Sequence, residues 1–136
     1  MIWIQHEIRL PAFSEGCHPI TRHIVEGVPE LADVRIGMMH VFLQHTSASL
    51  TINENADPDV VHDVLEALQQ IVPWRQGFYR HCEGNSAAHV KSSMMGCSTT
   101  VPISGGRMAL GTWQAIFFCE FDGPRTRHAL VTVMGS

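Results

Sequence analysis

Apolar residues fall into short groups along this chain, and the change in their spacing marks where strands give way to helices. Ile2, Ile4 and Ile8 with Trp3 recur at strand-like intervals until Pro11, which predicts a strand closing near residue 10. Pro19 then suits a first helical position, and Ile20, Ile24, Val25, Val28 and Leu31 form a helical stripe whose last turn Pro29 disturbs. From Gly37 to His45 the pattern returns to period two, with Met39, Val41 and Leu43 on one face and His45 in phase at the strand end.

The clearest helix is expected from Pro58 to Val72. Asp57 is a suitable N-cap, Pro58 suits the first turn, Asp59 complements the positive end of the dipole, and Pro73 stops the helix. Val61, Val64, Leu65, Leu68 and Val72 make its buried stripe, leaving His62, Asp63, Glu66 and Gln69 to solvent. A shorter helix is expected over Ser86–Met95, capped by Asn85 or Ser86 and ended by Gly96. Strands follow over Ser98–Ile103, Arg107–Leu110, Thr112–Phe121 and His128–Met134, with a Gly105-Gly106 turn after the first. Between Gln114 and Phe121 both faces are apolar except at Glu120, which predicts a central strand carrying a carboxylate near its end. Strands grouped together with three helices interspersed indicate an α+β fold.

Composition narrows the picture. A chain of 136 residues, 45% hydrophobic and 16% charged, fits one domain over residues 1–136 with a real core. Nine Lys+Arg against thirteen Asp+Glu give a net charge of -4, and the basic residues are scattered, so no nucleic-acid surface is expected. The N-terminus lacks the basic start and apolar core of a signal peptide, and no apolar stretch reaches the length of a membrane span, so the expected compartment is the cytoplasm. Cys17, Cys82, Cys97 and Cys119 show no C-x-x-C spacing, which suggests neither a zinc ribbon nor a redox pair.

Four polar clusters lie at the ends of predicted elements, where a scaffold presents functional groups: His45–Ser49, Asn53–Asp57, His81–His89 and Glu120–Arg125. His81 and His89, eight apart, are too distant to share one helix face, but a strand-end His81 and a helical His89 can converge, with His45 as third candidate for a metal. The spacing alone favours the bland reading, a loop histidine and a hydrogen-bonded helix histidine. Cys97, directly after Gly96, is either a structural thiol or one presented to ligate or attack. Glu54, Asp57, Asp59, Glu120 and Asp122 could hold Mg²⁺ beside a phosphorylated substrate, although capping alone accounts for Asp57. Thr46, Ser47 and Ser49 offer hydroxyls to an anion, and Arg125 a forked cation, with no Gly-rich phosphate loop present. Lys91, the lone lysine, reads as a surface residue.

Three long blocks, HTSASLTINENADPDV, HCEGNSAAHVKSSMMGCSTTVPI and LGTWQAIFFCEFDGPR, closely resemble the YjbQ family over nearly the whole chain. The resemblance implies a largely antiparallel sandwich with about three helices, trimerising around a threefold axis, and a polar metal-binding pocket near the histidines. It also implies a secondary thiamine-phosphate synthase activity, joining hydroxymethylpyrimidine pyrophosphate to thiazole phosphate with release of pyrophosphate. By that resemblance His45, His81 and His89 are the metal ligands, zinc favoured and Mg²⁺ an option with a pyrophosphate substrate. Asp57, Glu120, Asn85 and Cys97 are the catalytic candidates, and Thr46, Ser47, Ser49 and Arg125 bind the anion. The alternative function is a non-catalytic trimer that binds a small ligand or a metal. Cys17-His18-Pro19 departs from the family's pattern, where an acidic and a β-branched residue are expected.

Overall fold

The computed structural model describes residues 1–136 as two antiparallel sheets and a helical layer. The five-stranded sheet has the order β1-β8-β3-β5-β6, built from β1 (Ile2–Leu10), β3 (Ile36–Leu43), β5 (Ser98–Ser104), β6 (Arg107–Met108) and β8 (Arg127–Gly135). The three-stranded sheet has the order β2-β7-β4, from β2 (Gly16–Pro19), β4 (Ala48–Glu54) and β7 (Gln114–Glu120). Three α-helices complete it: α1 (Thr21–Gly27), α2 (Pro58–Ile71) and α3 (Ser86–Met95). No helix is long and apolar enough to cross a membrane.

The period-two pattern explains the layering. Met39, Val41 and Leu43 of β3 and Ala129, Val131 and Val133 of β8 face inward, where they meet Leu50 of β4, Ile116 and Phe118 of β7, and Ile20 and Ile24 at α1. The other face of β7 presents Ala115, Phe117 and Cys119, which join Phe121 in packing against Leu68 of α2 and Ala88 of α3. Strand β7 is therefore covered on both sides, as its two apolar faces predict. The expected α2 forms with Asp57 as its cap, the carboxylate accepting the Asp59 amide at 2.9 Å. Of its predicted stripe only Leu68 and Val72 are fully buried, because the helix lies over the edge of the small sheet.

Two strands run where the sequence suggested loops or a helix start. Pro19 ends β2 opposite Phe117 and is not the first helical residue. The Ile20 amide donates to the Ile116 carbonyl, so the alternate position, Pro19, lies at a non-hydrogen-bonded pair and needs no amide. The predicted helical stripe divides into α1 and a 3₁₀ turn over Pro29–Asp33, with Val28 between them. Strand β4 takes in the end of one polar cluster and the start of the next, and pairs with β7 from Ala48↔Glu120 to Glu54↔Gln114. His45 lies two residues beyond the end of β3, in the loop that crosses between the sheets.

Candidate functional site

Glu120 and Arg127 organise the end of the molecule where the two sheets meet. A carboxylate within an apolar strand needs a cation, and Arg127, the first residue of β8, supplies it through two parallel bonds, Nε to Oε1 at 2.9 Å and Nη2 to Oε2 at 2.6 Å. The same Nη2 donates to the Ser47 hydroxyl at 2.9 Å, tying the loop after β3 to both sheets. Gly123 lets the β7–β8 loop fold over this pair, since a Cβ there would sit 2.5 Å from Glu120 Cγ. Asp122 in that loop accepts from Asn85 Nδ2 at 2.7 Å and from Arg125 Nη2 at 2.9 Å, while Arg125 Nε donates to the Asp122 carbonyl at 2.8 Å. The start of α3 is thereby anchored beside Arg125.

These contacts enclose a cavity of about 410 Å³ without one hydrophobic lining residue. His45, Thr46, Ser47, His81, Asn85, His89 and Arg125 line it, together with Gln44, Glu83 and Arg127. A second cavity of about 440 Å³ shares His45, Thr46 and His89 and carries Cys97 on its wall. A third, of about 580 Å³, shares His81 and His89 and adds Phe78, Tyr79 and Val90. His89 thus stands at the junction of a polar cleft and a partly aromatic one.

The ring nitrogens are assigned by their partners. His89 Nδ1 lies 3.0 Å from the Thr46 carbonyl, an acceptor, so Nδ1 carries the proton and Nε2 keeps its lone pair. His45 is the reverse: its Nε2 accepts the His128 backbone amide at 2.9 Å, which leaves the proton on Nδ1. Burial, then the positive charge of Arg127 and of His128, hold His45 below the ordinary imidazole pKa, partly offset by Glu120. His81 and His89 face each other edge to face, ring centroids 5.2 Å apart. At α3 the Asn85 side chain makes no capping bond, the Ser86 and Ala87 amides have no backbone partner, and the buried Asn85 Oδ1 is unpaired.

Of the catalytic and anion-binding candidates, Ser49, Glu120, Asp57 and Cys97 lie outside the polar cleft, Cys97 on the wall of the neighbouring cavity. Ser49 is buried in β4 opposite Cys119. Glu120 sits behind the wall, engaged by Arg127. Asp57 caps α2, beyond the other end of β4. Lys91 is half-buried, its ammonium 5.0 Å from the Phe121 ring centroid, so it is no plain surface residue. Arg127 escaped the sequence reading, although a carboxylate alone in an apolar strand signals that a cation must be near.

The donor set does not fit a metal. No three His, Cys, Asp or Glu side chains converge on one point. His45 has spent its Nε2 lone pair on a backbone amide; of the five Mg²⁺ candidates, Asp57, Glu120 and Asp122 are occupied by a cap, an arginine and an amide, and Glu54 and Asp59 do not line the cleft. What the cleft offers instead is hydrogen-bond donors for an anion and, on His81 and His89, imidazole nitrogens without a hydrogen-bond partner in the protein.

Known proteins share this architecture. The family profile described as UPF0047 protein YjbQ-like matches residues 6–136. UPF0047 protein YugU of Bacillus subtilis is 49% identical over 116 residues, covering 85% of this chain and 87% of that protein. UPF0047 protein YjbQ of Escherichia coli O157:H7 is 41% identical over 121 residues, covering 88% of each. Among solved structures, a YjbQ/UPF0047 family protein from Clostridium acetobutylicum has a TM-score of 0.86 at 46% identity, covering 94% of this chain and 98% of that one. A YbjQ-like protein of unknown function from Sulfolobus solfataricus reaches 0.89 at 25% identity, covering 99% of each. The two-sheet scaffold and the sequence that builds its histidine-lined end agree over the same span, and the chain belongs to the UPF0047 YjbQ-like family.

Proposed function

We propose that the cleft binds a small phosphorylated substrate and displaces pyrophosphate from it, in the manner of the thiamine-phosphate synthase activity that the family resemblance implies. The observation that carries this reading is the wholly polar cavity in which Arg125, the Thr46 and Ser47 side chains and the open start of α3 stand around the free Nε2 of His89. Arg125 has spent Nε and Nη2 on Asp122, and its remaining N–H groups serve an anion. The Ser86 amide, which has no backbone acceptor, adds a donor at the positive end of the helix on the side of the adjoining aromatic cavity.

In such a transfer the thiazole nitrogen attacks the pyrimidine methylene carbon, the bond from that carbon to the pyrophosphate oxygen breaks, and pyrophosphate leaves with the electron pair. Arg125, with the Ser86 amide at the start of α3, stabilises the departing charge. The Nε2 of His89 faces the departing pyrophosphate, while the Thr46 carbonyl keeps the ring oriented through Nδ1. The cleft walled by Phe78 and Tyr79 adjoins at His81 and His89 and suits the heterocycle. The reading also includes assembly as a homotrimer through the outer face of the five-stranded sheet. Trp3, Met134 and Met38 form an exposed apolar row across three strands there, with Phe42 nearby.

The test is rescue of a thiamine-requiring, synthase-deficient host, paired with calorimetry of pyrophosphate binding to the purified chain. Rescue by the chain, lost in His89→Ala, together with pyrophosphate affinity lowered about tenfold or more in Arg125→Ala, is the expected result. Binding without rescue supports the binder alternative. Absence of pyrophosphate binding removes the proposal.

A further inference from the structure

Away from the cleft, β2 brings Cys17 against Cys119, 102 residues later in the chain. The two are directly opposed in the β2–β7 register. Parity places them at a non-hydrogen-bonded pair, the same class as Pro19↔Phe117, because the Ile20 amide bonds to Ile116. Cα atoms at such pairs are about 4.5 Å apart, inside the range of roughly 4.4–6.8 Å that a disulfide spans. The sulfurs are already 2.8 Å apart, and both cysteines are free thiols. Cys119 is fully buried under α2 and α3, whereas Cys17, on the edge strand, is half-buried. Cys82 and Cys97 are exposed.

We infer that Cys17 and Cys119 are a redox-active pair, a modification site at which a hydroperoxide oxidises Cys17 and Cys119 closes an intramolecular disulfide. The asymmetry of the pair sets the roles. Cys17, half-buried on the edge strand, is the thiol a hydroperoxide reaches, and its contact with Cys119 holds its pKa below that of an ordinary thiol; the same contact, with burial, pushes Cys119 up. Cys17 is therefore the attacking thiolate and Cys119 the resolving thiol.

The chemistry balances. Cys17 sulfur attacks one peroxide oxygen, the O–O bond breaks, and the departing hydroxide takes a proton from solvent, leaving a sulfenic acid. Cys119 sulfur then attacks Cys17 sulfur, the S–O bond breaks, and water leaves with the Cys119 proton. Hydrogen peroxide and two thiols become one disulfide and two waters. The bridge joins β2 to β7 next to Glu120, without using any residue proposed to bind substrate.

The experiment treats the full chain with a tenfold excess of hydrogen peroxide, blocks remaining thiols with N-ethylmaleimide after unfolding, and maps the peptides by mass spectrometry. The expected product links the Cys17 and Cys119 peptides, disappears on reduction with dithiothreitol, and forms equally in Cys82→Ser/Cys97→Ser. In Cys119→Ala, dimedone is expected to trap the Cys17 sulfenic acid, at several times the yield seen in the native chain. Recovery of both Cys17 and Cys119 as maleimide adducts overturns the inference. So does a Cys17 sulfinic acid in the native chain with Cys119 still free, since no resolving step has then occurred.

Discussion

Arg125 and Arg127 stand two positions apart, both border the polar cavity, and both meet a carboxylate, yet they do opposite work. Arg127 is 4% exposed and its partner Glu120 0%, while Arg125 is 50% exposed and Asp122 20%. The difference follows from the β8 boundary: Arg127 is the first inward-facing residue of the strand, and Arg125 is still in the loop. A buried charge is tolerable only when fully paired, so Arg127 is committed to Glu120 and Ser47 and holds the two sheets in register. A half-exposed arginine keeps donors to spare and pairs weakly in high dielectric, which leaves it available to a ligand. The cleft is built from one arginine that cannot let go and one that can.

The sharpest way to break the contrast is to remove one buried partner. Glu120→Ala leaves the Arg127 guanidinium without its carboxylate, and the expected loss is about 3–5 kcal/mol of unfolding free energy, read from urea denaturation. Replacing both partners together, Glu120→Leu with Arg127→Met, is expected to recover most of that loss, because no charge is then stranded. A single and a double variant of equal stability would show that the pair does not hold the sheets together.

Asp57 is the next carboxylate to compare, since the same resemblance set it beside Glu120 as a catalytic candidate. Its carboxylate accepts the Asp59 amide at the start of α2. Asp57→Ala is expected to cost about 1 kcal/mol, the usual worth of an N-cap, and to leave pyrophosphate affinity unchanged by calorimetry. A tenfold loss of affinity in this variant would place Asp57 in the site after all. Arg125→Ala, by contrast, is expected to change stability by less than about 1 kcal/mol while carrying the affinity loss.

How much of this was legible in the sequence depended on whether the deciding contact was local. Helix α2 declared itself because Asp57, Pro58 and Pro73 act within a turn of its ends. Helix α3 did likewise at its end through Gly96, whereas Asn85 holds the N-cap position without a capping bond, its side chain turned to Asp122. Strand β4 did not, because ASLTINE mixes small and polar residues, and only pairing with β7 and packing of α3 bury its first three positions. Pro19 misled for the same reason: its strand role rests on β7, nearly a hundred residues on. In the cleft, His81 and His89 were readable as one cluster, whereas the ring nitrogen His45 has to offer depends on the His128 amide across the fold. The Cys17–Cys119 contact has no spacing signature at all, being a matter of register.

The smallest expected effect concerns His45, and its sign can be worked out. Burial and the charges of Arg127 and His128 keep its folded pKa below the ordinary value of 6.5. As pH falls past that value, the unfolded chain takes up a proton that the folded chain refuses, so the unfolded state gains stability. The contribution is fully present above about pH 6.5 and is lost as the pH drops toward the lowered folded pKa. His62 works the other way, because Asp63 raises its pKa, so the readout must be the difference between variants. In urea midpoints between pH 7.5 and 5, His45→Gln, whose amide oxygen can still accept the His128 amide, is expected to lose less stability on acidification than the native chain. Equal losses would mean that His45 titrates as freely as an exposed imidazole, and its role as a fixed neutral donor in the cavity wall would fall with that result.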